Sequence, residues 1–154
     1  MVTQFVRGDA QTQTLIYQRY LKQIACVNNW DLVDSTAPQI IGTFLLHRDR
    51  ELLYRLARSP VLWERRIAII ATLAFIRVGE FDDTMRLAEL LLSDSHDLMH
   101  KAVGWMLREV GKRDERVLRK FLAVHAQVMP RTMLRYAIER LPKEERVQML
   151  RLTR

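Results

Sequence analysis

Apolar residues recur at a spacing of about 3.6 along nearly the whole sequence, and no stretch of useful length alternates between apolar and polar residues. A half-buried strand requires that alternation, whereas an amphipathic helix requires the longer period. The pattern therefore predicts an all-helical protein. The predicted helices cover residues 11–27, 35–47, 49–58, 60–78, 82–92, 95–111, 114–127, 130–141 and 143–152.

Proline and glycine mark several of the predicted helix ends. Ser59-Pro60 is typical of a cap and first helical residue, Pro130 and Pro142 also stand at predicted starts, and Gly79 and Gly111 stand at predicted ends. No low-complexity segment or linker is long enough to divide the chain. We therefore expect residues 1–154 to form a single helical-repeat domain.

An internal echo indicates repeated helix pairs. A shift of 34 residues aligns Ser59 with Ser93, Ala68 with Ala102, Leu73 with Leu107 and Ile76 with Val110, and a shift of 35 aligns Ala102 with Ala137. Such units stack into an α-solenoid whose inner helices line a concave surface. Tetratricopeptide and ankyrin signatures are missing, so HEAT-like (ARM-type) repeats are the favoured analogy. Helices of similar length in a closed bundle can also produce these matches.

Composition limits the partners and the compartment. The 25 basic and 18 acidic side chains leave a net charge of +7, which favours an acidic polymer or surface, although solubility alone also explains it. Cys26 is the only cysteine, so no intramolecular disulfide forms and a cytoplasmic location is expected. The longest apolar run, Ile67–Ile76, is too short to cross a bilayer as a helix, so no membrane partner is expected.

One helical face combines an aromatic ring with cations. Lys101, Trp105 and Arg108 fall on the same side of a predicted helix, and this combination suits sugar and phosphate. Arg135, on a later helix, is a further candidate for contact with a phosphate backbone. The alternatives are that Trp105 fills a core and that Arg108 forms a surface ion pair with Glu109.

Three segments together resemble a known family. Trp30–Ser35, Trp63–Arg66 and Lys101–Glu109, in this order and at this spacing, resemble the AlkD-like family of DNA alkylation-repair glycosylases. The similarity runs from about Leu15 through Met133–Ala137 to the C-terminus. The resemblance implies a HEAT-like solenoid with a cationic concave face that holds duplex DNA. It also implies hydrolysis of the N-glycosidic bond of cationic alkylated purines such as 3-methyladenine and 7-methylguanine.

The resemblance assigns roles residue by residue. The catalytic carboxylate falls on Asp34, the sugar-facing tryptophans fall on Trp30 and Trp105, and the active-site arginines, which we expect to hold phosphate, fall on Arg66 and Arg108. The family's N-terminal third, which completes the DNA cradle and supplies an aromatic residue, is expected to be missing. That loss predicts a homodimer through the N-terminal helices, or a first helix that acts as a polar cap.

Other interpretations of the same residues remain open at this point. From spacing alone, Asp34 is typical of a helix N-cap, with Pro38 in the first turn. The chain as a whole is either a glycosylase or a non-catalytic module derived from that family that binds nucleic acid or protein. We expect no metal or cofactor, since His96 and His100 lack a third ligand and are better explained as polar residues at a helix start.

Overall fold

Every regular element in residues 1–152, the part of the chain that the computed structural model describes, is helical. The side chain of Leu152 is outside this description. In chain order the α-helices are α1 (Val2–Arg7), α2 (Ala10–Lys22), α3 (Trp30–Thr36), α4 (Thr43–Leu45), α5 (Glu51–Ala57), α6 (Leu62–Ala71), α7 (Leu73–Arg77), α8 (Asp82–Leu90), α9 (Asp97–Arg113), α10 (Glu115–His125), α11 (Arg131–Ala137) and α12 (Lys143–Leu152). A 3₁₀ turn covers Ile24–Cys26, and a π-helical segment, Ala37–Gly42, joins α3 to α4. The predicted all-helical class is confirmed.

The helices form two compact units, Met1–Val78 and Gly79–Arg154. Each unit has its own buried apolar residues. No helix in residues 1–152 is long and apolar enough to cross a bilayer. A single domain of HEAT-like repeats stays a prediction.

The first unit is built around α6. Ile67–Ala71 are fully buried, and α6 packs against α3, α5 and the π-helical segment. This C-terminal half of α6 is apolar on all sides and is therefore covered on all sides, which explains the long apolar run in the sequence. Gly42 lies so close to α6 that an added Cβ would stand 2.1 Å from the carbonyl oxygen of Ala71. The π-helical segment therefore contacts the backbone of α6.

Helix α3, which contains Asp34, begins earlier than predicted. The side chain of Asn29 caps α3 by accepting a hydrogen bond from the Leu32 amide at 2.9 Å. The predicted start at residue 35 and the interpretation of Asp34 as an N-cap are therefore wrong. Asp34 lies inside α3, and Pro38, which has no N–H, cannot donate to its carbonyl oxygen as a regular α-helix requires. The wider π-helical turn follows at this point.

The N-terminal helices pack within the chain. Helix α1, which lies outside the predicted helices, buries Phe5. Tyr17 stacks on Phe44 with ring centroids 3.9 Å apart, and the Tyr20 hydroxyl lies 2.9 Å from the Thr36 hydroxyl. Tyr20 is only 2% exposed and is a core residue. A dimer through these helices stays a prediction, and Tyr20 does not contribute to its surface.

The second unit is built around α9. Six apolar side chains of α9 are fully buried, and the helix packs mainly on α11 and α10: Met99, Ala102, Val103, Met106, Leu107 and Val110. An added Cβ at Gly104 would stand 2.5 Å from the Met133 carbonyl oxygen. Ala68, Ala102 and Ala137, which the internal echo aligns, are all buried. The echo therefore marks core positions in both units.

Two predicted boundaries failed because a side chain or a cap overrides the local signal. The predicted helix 60–78 is divided at Thr72, whose buried hydroxyl donates to the Ile69 carbonyl at 2.7 Å. Gly111 does not end its helix, since α9 continues to Arg113. Asp114 then caps α10 by accepting from the Arg116 amide at 3.0 Å.

Most of the other predicted helix ends marked by proline or glycine are confirmed, and one is wrong. Pro130 and Pro142 directly precede α11 and α12, and Gly79 follows α7 with a φ of +83°, as glycine permits. Ser59-Pro60 does not begin a helix, because the Ser59 hydroxyl accepts from the Val61 amide and α6 starts at Leu62.

Candidate functional site

Asp34 and Arg66 form a bidentate ion pair in the first unit. Arg66 donates from Nε to Oδ1 at 3.0 Å and from Nη2 to Oδ2 at 2.8 Å. The Arg66 side chain is 6% exposed, and the Asp34 side chain is 19% exposed. Two parallel donors fix both the position and the plane of a carboxylate. The buried guanidinium has little surface to offer a phosphate, so its placement favours a role in holding Asp34.

Trp30 lies one turn before Asp34 on α3. Residues four apart on a helix are neighbours on the same face. The Trp30 side chain is 56% exposed, which is unusual for an indole, whereas Val33 on the adjacent face is fully buried and anchors the helix. An exposed ring and a fixed carboxylate therefore share one face of α3. Trp30 therefore does not fill a core.

Lys101, Trp105 and Arg108 lie on α9 in the second unit, on the shared face that the sequence predicts. Lys101 pairs with Asp97 at 2.8 Å. The hydrogen bond from Lys101 lowers the pKa of Asp97, and the same bond raises the pKa of Lys101. Both side chains are substantially exposed, so water and salt weaken the pair.

Two carboxylates organise the Trp105 region. The indole Nε1 of Trp105 donates to Glu109 Oε1 at 3.2 Å, and Lys112 Nζ lies 2.9 Å from Glu109 Oε2. Arg108 Nη1 binds Glu139 Oε2, and its Nε lies 3.8 Å from Glu109. The suggested Arg108–Glu109 pair is therefore present but long, and the main partner is Glu139. Glu139 could not be recognised as this partner from the sequence, because 31 residues separate it from Arg108.

The remaining basic candidates differ in their surroundings. Arg135 on α11 is exposed, and within residues 1–152 it has no ion-pair partner. Arg131, also on α11, donates to the Leu150 carbonyl oxygen at 2.6 Å. Arg135 is therefore better placed than Arg131 to meet an external anion.

The two histidines near the start of α9 have structural roles. His96 is the N-cap, and its Nδ1 accepts from the Leu98 amide at 3.2 Å, which confirms the interpretation as a helix-start residue. The His100 ring bonds to the Asp94 carbonyl oxygen. Within the described residues, no group of three or more His, Cys, Asp or Glu side chains is arranged to hold a metal ion.

Comparison with known families identifies the chain. A family profile described as DNA alkylation repair enzyme matches residues 1–141. The chain belongs to the DNA alkylation repair enzyme family. Comparison with curated proteins and with solved structures gives no match. Membership of this family confirms the resemblance and supports a role in DNA repair with DNA as the substrate.

The two candidate clusters of this DNA alkylation repair family member differ in chemistry. The α3 cluster offers a carboxylate that Arg66 holds through both oxygens, beside an exposed ring whose face can attract a cation. The α9 cluster offers a half-buried ring surrounded by cations that already have carboxylate partners. The family match covers every candidate residue: Trp30, Asp34, Arg66, Lys101, Trp105, Arg108 and Arg135.

Proposed function

We propose that the protein hydrolyses the N-glycosidic bond of cationic alkylated purines, such as 3-methyladenine and 7-methylguanine, in duplex DNA. The observation that carries this proposal is the carboxylate of Asp34, fixed by the buried Arg66 and set one turn from the exposed ring of Trp30. The duplex is proposed to lie on a cationic concave face of a HEAT-like solenoid.

The reaction needs charge stabilisation more than acid catalysis. When the bond between C1′ and the purine nitrogen breaks, its electron pair moves to the base, which leaves neutral because alkylation had already made it cationic. The positive charge passes to the deoxyribose as an oxocarbenium ion. Water then adds to C1′ and loses a proton, which leaves an abasic site. Asp34 stabilises the sugar cation and orients the water, as carboxylates do in glycoside hydrolysis.

The magnitude of the electrostatic effect is adequate. A carboxylate about 4 Å from a developing unit charge contributes roughly 4 kcal/mol at an effective dielectric constant near 20. That energy corresponds to roughly a thousandfold in rate. Arg66 offsets part of the negative charge but prevents Asp34 from rotating, so the carboxylate does not have to be reoriented as the sugar charge develops.

The other candidates bind the substrate in this proposal. Trp30 and Trp105 pack on deoxyribose and attract its developing charge through their ring faces. Lys101, Arg108 and Arg135 contact phosphate, and Arg66 is a positioning residue for Asp34. Binding made mainly through phosphates weakens steeply as salt rises, because counterions released from DNA provide much of the affinity.

Release of methylated purines from methylated duplex DNA tests the proposal. The variants are Asp34→Asn and, as a matched control, Asp31→Asn, which makes the same chemical change at an exposed position on the same helix. We expect the wild type and Asp31→Asn to release methylated bases at similar rates. Asp34→Asn should be slower by about a hundredfold to a thousandfold, given the Coulomb estimate above.

The outcomes separate the alternatives. Equal release by Asp34→Asn and the wild type would show that Asp34 is not the charge stabiliser. Binding of duplex DNA by the wild type without any release would favour the non-catalytic module. Thermal unfolding of each variant shows whether a lost activity reflects a lost fold.

A further inference from the structure

The carboxylate partner of Arg108 comes from a different part of the same unit. Arg108 lies near the C-terminal end of α9, and Glu139 lies in the turn after α11. The Arg108 side chain is 23% exposed and that of Glu139 is 49% exposed. The Arg108 side chain is therefore mostly covered, while the Glu139 side chain that binds it is about half exposed to solvent.

A second carboxylate restricts the direction in which Arg108 can move. Glu109 lies 3.8 Å from Arg108 Nε, is only 18% exposed, and also accepts from Trp105 and Lys112. Glu109 is thus fixed by several donors, whereas Glu139 accepts from Arg108 at the solvent side. Loss of the Glu139 contact would leave Arg108 beside Glu109, with its Nη1 donor directed outward.

Carboxylate and phosphate oxygens accept from a guanidinium in the same geometry. We infer that Glu139 is an intramolecular competitor that occupies the DNA-phosphate position on Arg108 in the free protein and is displaced when duplex DNA binds. Glu139 therefore lowers the DNA affinity of this surface. The inference rests on the part of the proposed function that assigns a phosphate contact to Arg108, and it does not depend on Asp34.

The exposure of the pair makes exchange feasible. A partly exposed ion pair is weak, because water and salt screen it, so a polyanion with a high local charge density can replace one carboxylate. Removal of the competing charge should increase affinity by about 1.5-fold to fivefold, which is the range expected for a pair of this exposure.

Binding of a short, labelled, unmethylated duplex, measured by fluorescence anisotropy at low salt, tests the inference. Glu139→Gln removes the competing charge and keeps the size of the side chain. Glu144→Gln is the matched control, since it changes the net charge equally at an exposed site on α12 that is not an ion-pair partner of Arg108. We expect tighter binding by Glu139→Gln, little change in Glu144→Gln, and no gain from Glu139→Gln when Arg108→Gln is also present.

The results distinguish this inference from the proposed function. Equal affinities of Glu139→Gln and Glu144→Gln, or a gain that survives Arg108→Gln, overturn the inference alone. Weaker binding by Glu139→Gln also overturns it, because Glu139 would then be a positioning residue for Arg108. A gain in affinity without any base release supports the inference and counts against the glycosylase proposal. Absence of DNA binding by the wild type and by every variant overturns both.

Discussion

Arg66 on α6 holds both carboxylate oxygens of Asp34 on α3, with donor–acceptor distances of 3.0 and 2.8 Å. The two residues are 32 positions apart in the chain, and the guanidinium is nearly inaccessible to solvent. A pair of this kind fixes the position and the orientation of the Asp34 carboxylate. It also makes each member dependent on the other, because removal of either one takes a bidentate partner from a largely desolvated charge.

The stability of the first unit should show this dependence. Arg66→Met alone leaves the Asp34 carboxylate without its main partner and should lower the free energy of unfolding by about 3–5 kcal/mol. The double variant with Asp34→Asn should be less destabilised than the sum of the single variants, with a coupling of about 1–3 kcal/mol. Urea unfolding of the four proteins measures the cycle. Additive single effects would contradict the pairing.

Close approach of α9 and α11 should make Gly104 intolerant of a side chain. A Cβ there would stand 2.5 Å from the Met133 carbonyl oxygen and 2.6 Å from the Tyr136 Cβ. Backbone cannot move away as easily as a side chain, so Gly104→Ala should destabilise the protein by about 1–3 kcal/mol despite the helix propensity of alanine.

Gly111→Ala is the matched control for that substitution on the same helix. The nearest atom to its added Cβ is the flexible Leu118 Cδ2, at 2.5 Å, which can rotate away. We expect its unfolding free energy to stay within about 1 kcal/mol of the wild type. Equal destabilisation by the two substitutions, measured by urea unfolding, would argue against backbone contact at Gly104.

The fold and the site were predictable to different extents. The helical class followed from periodicity, which is local information. Candidate residues such as Asp34 and Arg66 could be named from the family resemblance, but their bidentate contact could not, because it depends on how α3 packs against α6. The contact between Glu139 and Arg108 could not be predicted for the same reason, because it depends on how distant parts of the chain pack.

The wrong expectation about Asp34 has a local cause. Aspartate before a serine, a threonine and a proline is typical of a helix start, but asparagine is also a favoured N-cap residue, and Asn29 lies five positions earlier. The structure uses Asn29, whose side chain accepts from the Leu32 amide, and Pro38 falls in a π-helical turn. The choice between two nearby N-cap candidates depends on which apolar residues, such as Val33, reach the core, and the local sequence does not give this information.

Glu109 should control the mobility of the Trp105 ring. Glu109 accepts from the indole N–H at 3.2 Å and is itself held by Lys112. Glu109→Ala removes the acceptor and should accelerate hydrogen exchange of the Trp105 indole N–H by severalfold, whereas Glu109→Gln retains an acceptor oxygen and should change it less. The indole resonance, assigned with Trp105→Phe, reports the exchange rate in NMR spectra.

Glu144→Ala provides the control for that measurement, because it removes an exposed carboxylate that does not accept from Trp105. Its indole exchange should match the wild type. If Glu109→Ala also leaves the exchange rate unchanged, the hydrogen bond does not restrain the ring, and Glu109 serves only as a counterion for Lys112 and Arg108.

Alkaline pH should destabilise the first unit through Tyr20. Burial raises the pKa of Tyr20 to about 12, although the hydrogen bond with Thr36 opposes the shift. In the unfolded chain this pKa is near 10, so the unfolded state loses the proton first and stability falls as pH rises from about 10 to 12. Below pH 10 both states keep the proton, and the contribution is fully present.

The slope of stability against pH tests this assignment. Between pH 10 and 12 the wild type should lose up to about 1.4 kcal/mol per pH unit more than Tyr20→Phe, which has no hydroxyl to ionise at that position. Urea unfolding from pH 8 to 11.5 measures both slopes, and other groups titrate equally in the two proteins and cancel. Tyr20→Phe also loses the contact with Thr36, so its stability at pH 8 should be lower by about 1 kcal/mol. Parallel slopes for the two proteins would show that Tyr20 ionises freely in the folded state and is not the buried group described above.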